Sequence, residues 1–212
     1  YYSWSYFSLF QMKIYFDGCS WTCGEELENP EEERFSKLLC NELGAEETNL
    51  SIRGGSNDRI VRNLLVENNI EDYDLAVIQM TFPVRTEYHN AKWIRVNPKH
   101  NYNKWLHGEN GNIERLGEKF TDHNDFWKYY YMHVSNQKYF ETKENIHFQT
   151  IKNHCKVKGV PLILSTINRW SKLDFDFMLY TRGLKVHHYG HPTKESHQKI
   201  SKMMLEKIRS TR

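Results

Sequence analysis

Short apolar runs alternate with longer amphipathic stretches along this chain. Tyr73 to Met80 (YDLAVIQM) contains the continuous apolar core Leu75 to Ile78, the pattern of a parallel strand covered on both faces. Val160 to Thr166 (VPLILST) repeats it, and Met12 to Asp17, Thr48 to Arg53 and Leu184 to His187 complete a set of strand candidates. The stretches between them carry helix signals. Asn29 stands as N-cap before Pro30 and the acidic first turn Glu31 to Glu33, Phe35, Leu38, Leu39 and Leu43 share a face, and Gly44 supplies the stop. Ser56 or Asn57 caps a second helix that turns Ile60, Val61, Leu64 and Leu65 inward. Asp122 to Lys158 reads as one long or two consecutive helices closed by Gly159 and Pro161, and a last helix from about Lys194 aligns Ile200, Met203, Met204 and Ile208.

Strands alternating with helices predict a three-layer α/β/α sandwich around a five-stranded parallel sheet. Right-handed crossovers then bring the strand ends to one rim, where such sheets place their chemistry. Ser20, Gly54-Gly55, the segment after Met80 and the loop before the last helix share that rim. Val84 to Thr121 is polar, with Trp93, Trp105 and Ile113 scattered through it, and is too long for an ordinary connection, so it reads as an insertion near the rim. The aromatic stretch 1–11 stands before Met12 and reads as an extension without fixed structure, leaving 12–212 as a single domain.

Composition narrows the function. The chain's 29 basic and 27 acidic residues give +2, and the aromatics form no basic stacking platform, so nucleic acid is not an expected partner. No run approaches the ~18 apolar residues of a membrane span, and the first residues have no positive n-region or cleavage site, so a cytoplasmic protein is expected. The cysteines, Cys19, Cys23, Cys40 and Cys155, have no framework spacing and read as free thiols.

The candidate chemistry is nucleophilic. Ser20 lies on the turn after the first strand, in Gly18-Cys19-Ser20, and a nucleophilic serine needs a base and donors for an oxyanion. His191, fixed beside Pro192, is the candidate base. Backbone N–H groups near Ser20 and at Gly54 or Gly55, where the missing Cβ admits close approach, are candidate oxyanion donors.

Gly18-Cys19-Ser20, Gly54-Gly55-Ser56-Asn57 and His191-Pro192 with His197 resemble the first, second and fifth blocks of the SGNH (GDSL-like) hydrolase superfamily. Gly18 to Gly24 with Gly54 to Ile60 resembles, more narrowly, a branch of small SGNH-like proteins many of which bacteriophages encode, which would put the protein in a host cytoplasm or a virion. The resemblance implies a flavodoxin-like sandwich and serine hydrolysis of acyl or acetyl esters on lipids or carbohydrates, with no cofactor and no metal. It makes Ser20 nucleophile and first oxyanion donor, Gly54 the second donor with Gly55 as the register alternative, and His191 the base. The sequence departs from the family at three points. Cys19 stands where Asp is usual. The third block is replaced by Thr81-Phe82-Pro83-Val84-Arg85, so Asn57 or Thr81 would substitute for the usual asparagine. His188 stands where the acidic residue three before the base belongs. A Ser-His dyad is therefore expected, with His188, Thr81 and Arg85 as supporting residues. The alternative is an inactive SGNH-like module that binds a carbohydrate or a protein.

Plainer roles compete for the remaining residues. His197 is expected to pack in the last helix. His187, His188, His191 and His197 with Cys19 and Cys23 suggest zinc by donor type, but no pair has a standard ligand spacing. Arg85 and Glu87 read as a solvated pair or as contacts for a polar or anionic substrate, and Trp93 and Trp105 as packing residues or a sugar platform. Cys19 as nucleophile lacks a cationic neighbour in sequence.

Overall fold

A computed structural model describes residues 11–96, 127, 130–131 and 135–211. The expected N-terminal extension, up to residue 10, and the expected insertion from residue 97, with Trp105, lie outside the described residues. In chain order the elements are β1 (Lys13–Asp17), a one-turn helix α1 (Ser20–Cys23), α2 (Pro30–Glu33), α3 (Phe35–Leu43), β2 (Glu46–Asn49) and α4 (Asn57–Arg62), which runs on as a wider π-helical turn at Asn63–Glu67. They continue as β3 (Leu75–Met80), a hairpin of β4 (Thr86–Asn90) and β5 (Lys92–Val96), α5 (Gln137–Val157), β6 (Leu162–Thr166), β7 (Phe177–Met178) and α6 (Lys194–Thr211).

Five strands pair in parallel in the order β2-β1-β3-β6-β7. Alternation along them builds two cores. Ile14, Phe16, Leu75, Val77 and Ile163 pack with Phe35 and Leu39 of α3 and with Ile200, Met204 and Ile208 of α6. Tyr15, Ala76, Ile78 and Leu164 pack with Ile60, Leu64 and α5 residues Phe148 and Ile151. All of β3 is buried, as a central strand clad on both faces must be. The fold is therefore the expected α/β/α sandwich.

Several boundaries differ from expectation. The first long helix is two pieces, because Arg34 adopts an extended backbone (φ −65°, ψ 145°) that aims its guanidinium at Glu47, 2.9 Å away, and at Glu31. The second strand is Glu46–Asn49 rather than Thr48 to Arg53, and the fifth is Phe177–Met178 rather than Leu184 to His187, where only Val186 bridges, to Pro192. The start of the expected insertion is the β4–β5 hairpin. It is fastened by the cluster Val96, Trp127, Tyr131 and Phe140 and by the Tyr131 hydroxyl donating to Val84 O at 2.6 Å.

Asp58 ties this hairpin to the helices beneath it. Its carboxylate accepts from Thr86 Oγ1 (2.6 Å), Lys143 Nζ (2.7 Å) and His147 Nε2 (3.0 Å). Burial by itself would raise this carboxyl, but the His147 and Lys143 contacts outweigh it and hold the pKa at about 2.

Candidate active site

β1 delivers Gly18, Cys19 and Ser20 to the rim, and the turn is locked from below by a residue that sequence reading missed. Gln79, near the end of β3, turns its side-chain oxygen to Cys19 N (3.4 Å), Cys19 Sγ (3.3 Å) and Thr22 Oγ1 (3.1 Å), while its Nε2 donates to Met80 O at 2.6 Å. A Cβ on Gly18 would come within 2.4 Å of Thr22 Oγ1, so this tight turn needs glycine. Below it, the fully buried Asp17 accepts from Gly18 N–H (2.7 Å), Asn63 Nδ2 (2.8 Å) and Arg59 Nη1 (2.9 Å). Cys19 is fully buried with its sulfur on Gln79, which removes it as a candidate nucleophile.

The loop after β2 abuts this turn. A Cβ on Gly55 would lie 2.7 Å from Gly18 O, so the two backbones touch only because Gly55 has none. Gly55 N–H is spent on Ile52 O at 3.0 Å. Gly54 N–H and Ser20 N–H have no hydrogen-bond partner among the described residues. Asn57 is fully buried and bound to the Thr81 backbone, donating from Nδ2 to Thr81 O (3.0 Å) and accepting Thr81 N–H at Oδ1 (2.8 Å). It fastens the β3 loop instead of facing the rim, and the expected oxyanion role does not fit that geometry. Thr81 Oγ1 in turn accepts from Arg85 Nη1 at 2.7 Å.

His191 lies within hydrogen-bond reach of an acid that was not anticipated. Its Nδ1 is 2.6 Å from Glu26 Oε2, and both side chains are largely buried. Glu26 sits on the turn that follows α1, and the neighbouring Glu25 N–H donates to Ser20 O at 3.0 Å, so the acid and Ser20 belong to one compact loop. The Glu26 backbone is left-handed (φ 69°), an uncommon and costly state for a residue with a Cβ. Glu25 closes instead on Arg53 at 2.9 Å. With Nδ1 committed, His191 Nε2 has no hydrogen-bond partner among the described residues. Ser20 Oγ, 5% exposed as a residue, has one polar contact among the described residues, Cys19 Sγ at 3.9 Å, and is not hydrogen-bonded to His191.

Of the other candidate histidines, His188 and His197 do not join them. His188 is exposed with its ring edge-on to Tyr189, so the supporting role expected of it fails. His197 packs as expected: it stacks on Phe35, and its Nδ1 accepts Phe35 N–H at 3.1 Å, capping α3. Among the described residues no three His, Cys, Asp or Glu gather as a metal set. The expected Arg85–Glu87 pair does not form, since Glu87 binds Arg62 at 2.8 Å, and the Arg62 guanidinium also covers the Trp93 ring at 4.3 Å. All the cysteines are free, with burial raising Cys23 to about 11, Cys40 to about 12 and Cys155 to about 11.

Burial also lowers the His197 pKa from 6.5 to about 4. The unfolded chain therefore binds this proton first as pH falls, so the stability is intact above about pH 6.5 and drains away on the way down through pH 4. At pH 4.5 the loss should be about 2.5 kcal/mol relative to pH 7, measured by urea unfolding. In His197→Gln, which keeps an acceptor for Phe35 N–H but does not titrate, that slope should flatten.

A groove of about 680 Å³ lies elsewhere, along α5 and β6, and is lined by Lys152, Lys156, Asp176 and Lys207. None of the rim residues line it, and it holds no nucleophile-base pair. The chemistry of the rim outweighs its size as a guide to the site.

Comparison with known proteins bears on the fold. No protein-family model matches the chain, and no curated protein matches it. Solved structures do. The psychrotrophic esterase EstA from Pseudoalteromonas sp. aligns over 93% of this chain and 97% of its own at 14% identity, with a TM-score of 0.51. A lipase/acylhydrolase from Enterococcus faecalis aligns over 95% and 97% at 12% identity (TM-score 0.43), and an acetylxylan esterase from Geobacillus stearothermophilus over 92% and 93% at 10% identity (TM-score 0.44). What the chain shares with the EstA structure is the fold, helices packed on both faces of a parallel sheet. No helix among the described residues is long and apolar enough to cross a membrane.

Proposed function

We propose that this protein is an SGNH-type serine hydrolase that cleaves an acyl or acetyl ester, using Ser20, His191 and Glu26. Ser20 Oγ attacks the ester carbonyl while His191 Nε2 takes its proton. The tetrahedral oxyanion is held by the N–H groups of Ser20 and Gly54. His191 returns the proton to the leaving alcohol, and water then attacks the acyl-serine with His191 as base, releasing the acid and restoring Ser20. The observation that supports this most is the 2.6 Å contact between His191 Nδ1 and Glu26, which fixes the tautomer with a free Nε2 and supplies the negative charge that steadies an imidazolium. The missing Ser20–His191 hydrogen bond is compatible with it, because catalytic hydrogen bonds are often loose before substrate binds.

That same missing bond favours the second reading, a module that binds a carbohydrate or protein without turnover. Fluorophosphonate labelling separates the two. An active site labels at Ser20, the label is absent in Ser20→Ala, and it falls sharply in His191→Ala. Folded wild type that takes no label supports the binding module.

A further inference from the structure

The arginines around the rim divide into two kinds. Arg34, Arg53, Arg59 and Arg62 each close on a carboxylate within 2.9 Å: Glu47, Glu25, Asp17 and Glu87. Arg85 does not. It is half-buried, its Nη1 rests on the neutral oxygens Thr81 Oγ1 (2.7 Å) and Gly55 O (3.5 Å), and its Cζ stands 5.2 Å from the Phe82 ring centre. No carboxylate lies within ion-pair reach of it among the described residues, and its Nε and Nη2 have no hydrogen-bond partner there.

Position gives this cation its meaning. Gly55, which it touches, follows Gly54 in the chain and packs on Gly18 O, two residues before Ser20. Trp21, next to Ser20 in the chain, packs on Tyr180 at 5.0 Å, and burial raises the Tyr180 phenol's pKa while the Arg169 and Arg85 charges oppose it. A guanidinium fixed at one corner and open along the other edge is a fork shaped for a planar oxyanion, and holding a half-buried cation without a counter-charge is costly unless a ligand supplies one.

We propose that Arg85 is a substrate-anion site: the ester that reaches Ser20 carries a carboxylate, which binds the open edge of the Arg85 guanidinium while Thr81 and Gly55 hold the other corner. This rests on the hydrolase reading of Ser20 and adds the substrate's charge to it. A neutral ester of equal size leaves Arg85 unpaired and binds more weakly.

The test is binding, so it does not depend on turnover. Monomethyl succinate and methyl butyrate, similar in size and differing in charge, are titrated into the full-length Ser20→Ala protein and followed by amide chemical shifts. The anion should bind at least about tenfold more tightly, the preference should vanish in Ser20→Ala/Arg85→Gln, and Arg85→Lys should keep part of it. Matching far-ultraviolet circular dichroism and thermal midpoints verify that the variants fold. Equal affinity for the two esters, no binding of either, or a preference that survives Arg85→Gln overturns the proposal. A preserved anion preference in a protein whose wild type takes no fluorophosphonate label overturns the hydrolase reading alone and leaves an anion-binding module.

Discussion

Glu26→Gln should slow fluorophosphonate labelling of Ser20 by about 10²- to 10⁴-fold while the protein stays folded. An amide cannot stabilise the imidazolium and can present His191 Nδ1 with a donor, which pushes the ring toward the wrong tautomer. Glu26 touches no reacting atom in this scheme, so it is a positioning residue, and two further readouts separate that role from a scaffold role. First, the loss should lie in the labelling rate alone, with the thermal midpoint of Glu26→Gln equal to that of wild type. Second, Glu26→Asp should recover part of the rate. Glu26→Gly is a sharper control still. It relieves a left-handed backbone at φ 69°, so thermal stability should hold or rise as labelling is lost. A variant that loses labelling only in proportion to its loss of folded protein would remove Glu26 from the mechanism.

Arg59→Met should give the largest loss of stability, roughly 3–5 kcal/mol by urea unfolding. Asp17 has no exposed surface, and Arg59 is its cationic partner at 2.9 Å, while Arg59 also donates to Leu50 O. Removing the guanidinium leaves a buried carboxylate with only Gly18 N–H, Asn63 Nδ2 and the Tyr15 hydroxyl to hold it. The penalty is mostly that of an uncompensated charge, so Asp17→Asn in the same chain should recover much of it. If the double variant is no better than Arg59→Met, packing and the Leu50 contact dominate instead of charge.

The central strands and the helices that clad them were legible because burial on both faces writes a continuous apolar run, as in Leu75 to Ile78, and a one-sided helix writes its stripe. The edges were not. β2 reads Glu46-Glu47-Thr48-Asn49, a half-exposed edge strand whose polar residues give no apolar signal, and β7 is only Phe177–Met178, too short for any periodicity. Within the candidate site, Ser20, Gly54 or Gly55, and His191 are candidates from their place in a strand-turn-helix order. Glu26 was not, because it stands in the acidic run Glu25-Glu26-Leu27-Glu28 and meets His191 across 165 positions, where spacing says nothing. Gln79 was hidden for the same reason, since a polar residue within a buried strand declares its partners only once the turn above it is known. Asn57 misled: its motif position suggested an oxyanion donor, while both ends of its amide are taken by the Thr81 backbone.

The division of labour between loops also sets when this chain becomes reactive. Ser20 and Glu26 leave the ribosome close together, whereas His191 arrives 165 residues after Glu26, just ahead of α6. Domains fold as units while the ribosome feeds them out from the N-terminus, so Ser20 stands without the proposed base while that stretch is made. Under the proposed mechanism Ser20 has no base until α6 docks on α3, and truncation anywhere before His191 is expected to abolish fluorophosphonate labelling, however well the rest of the sheet has formed.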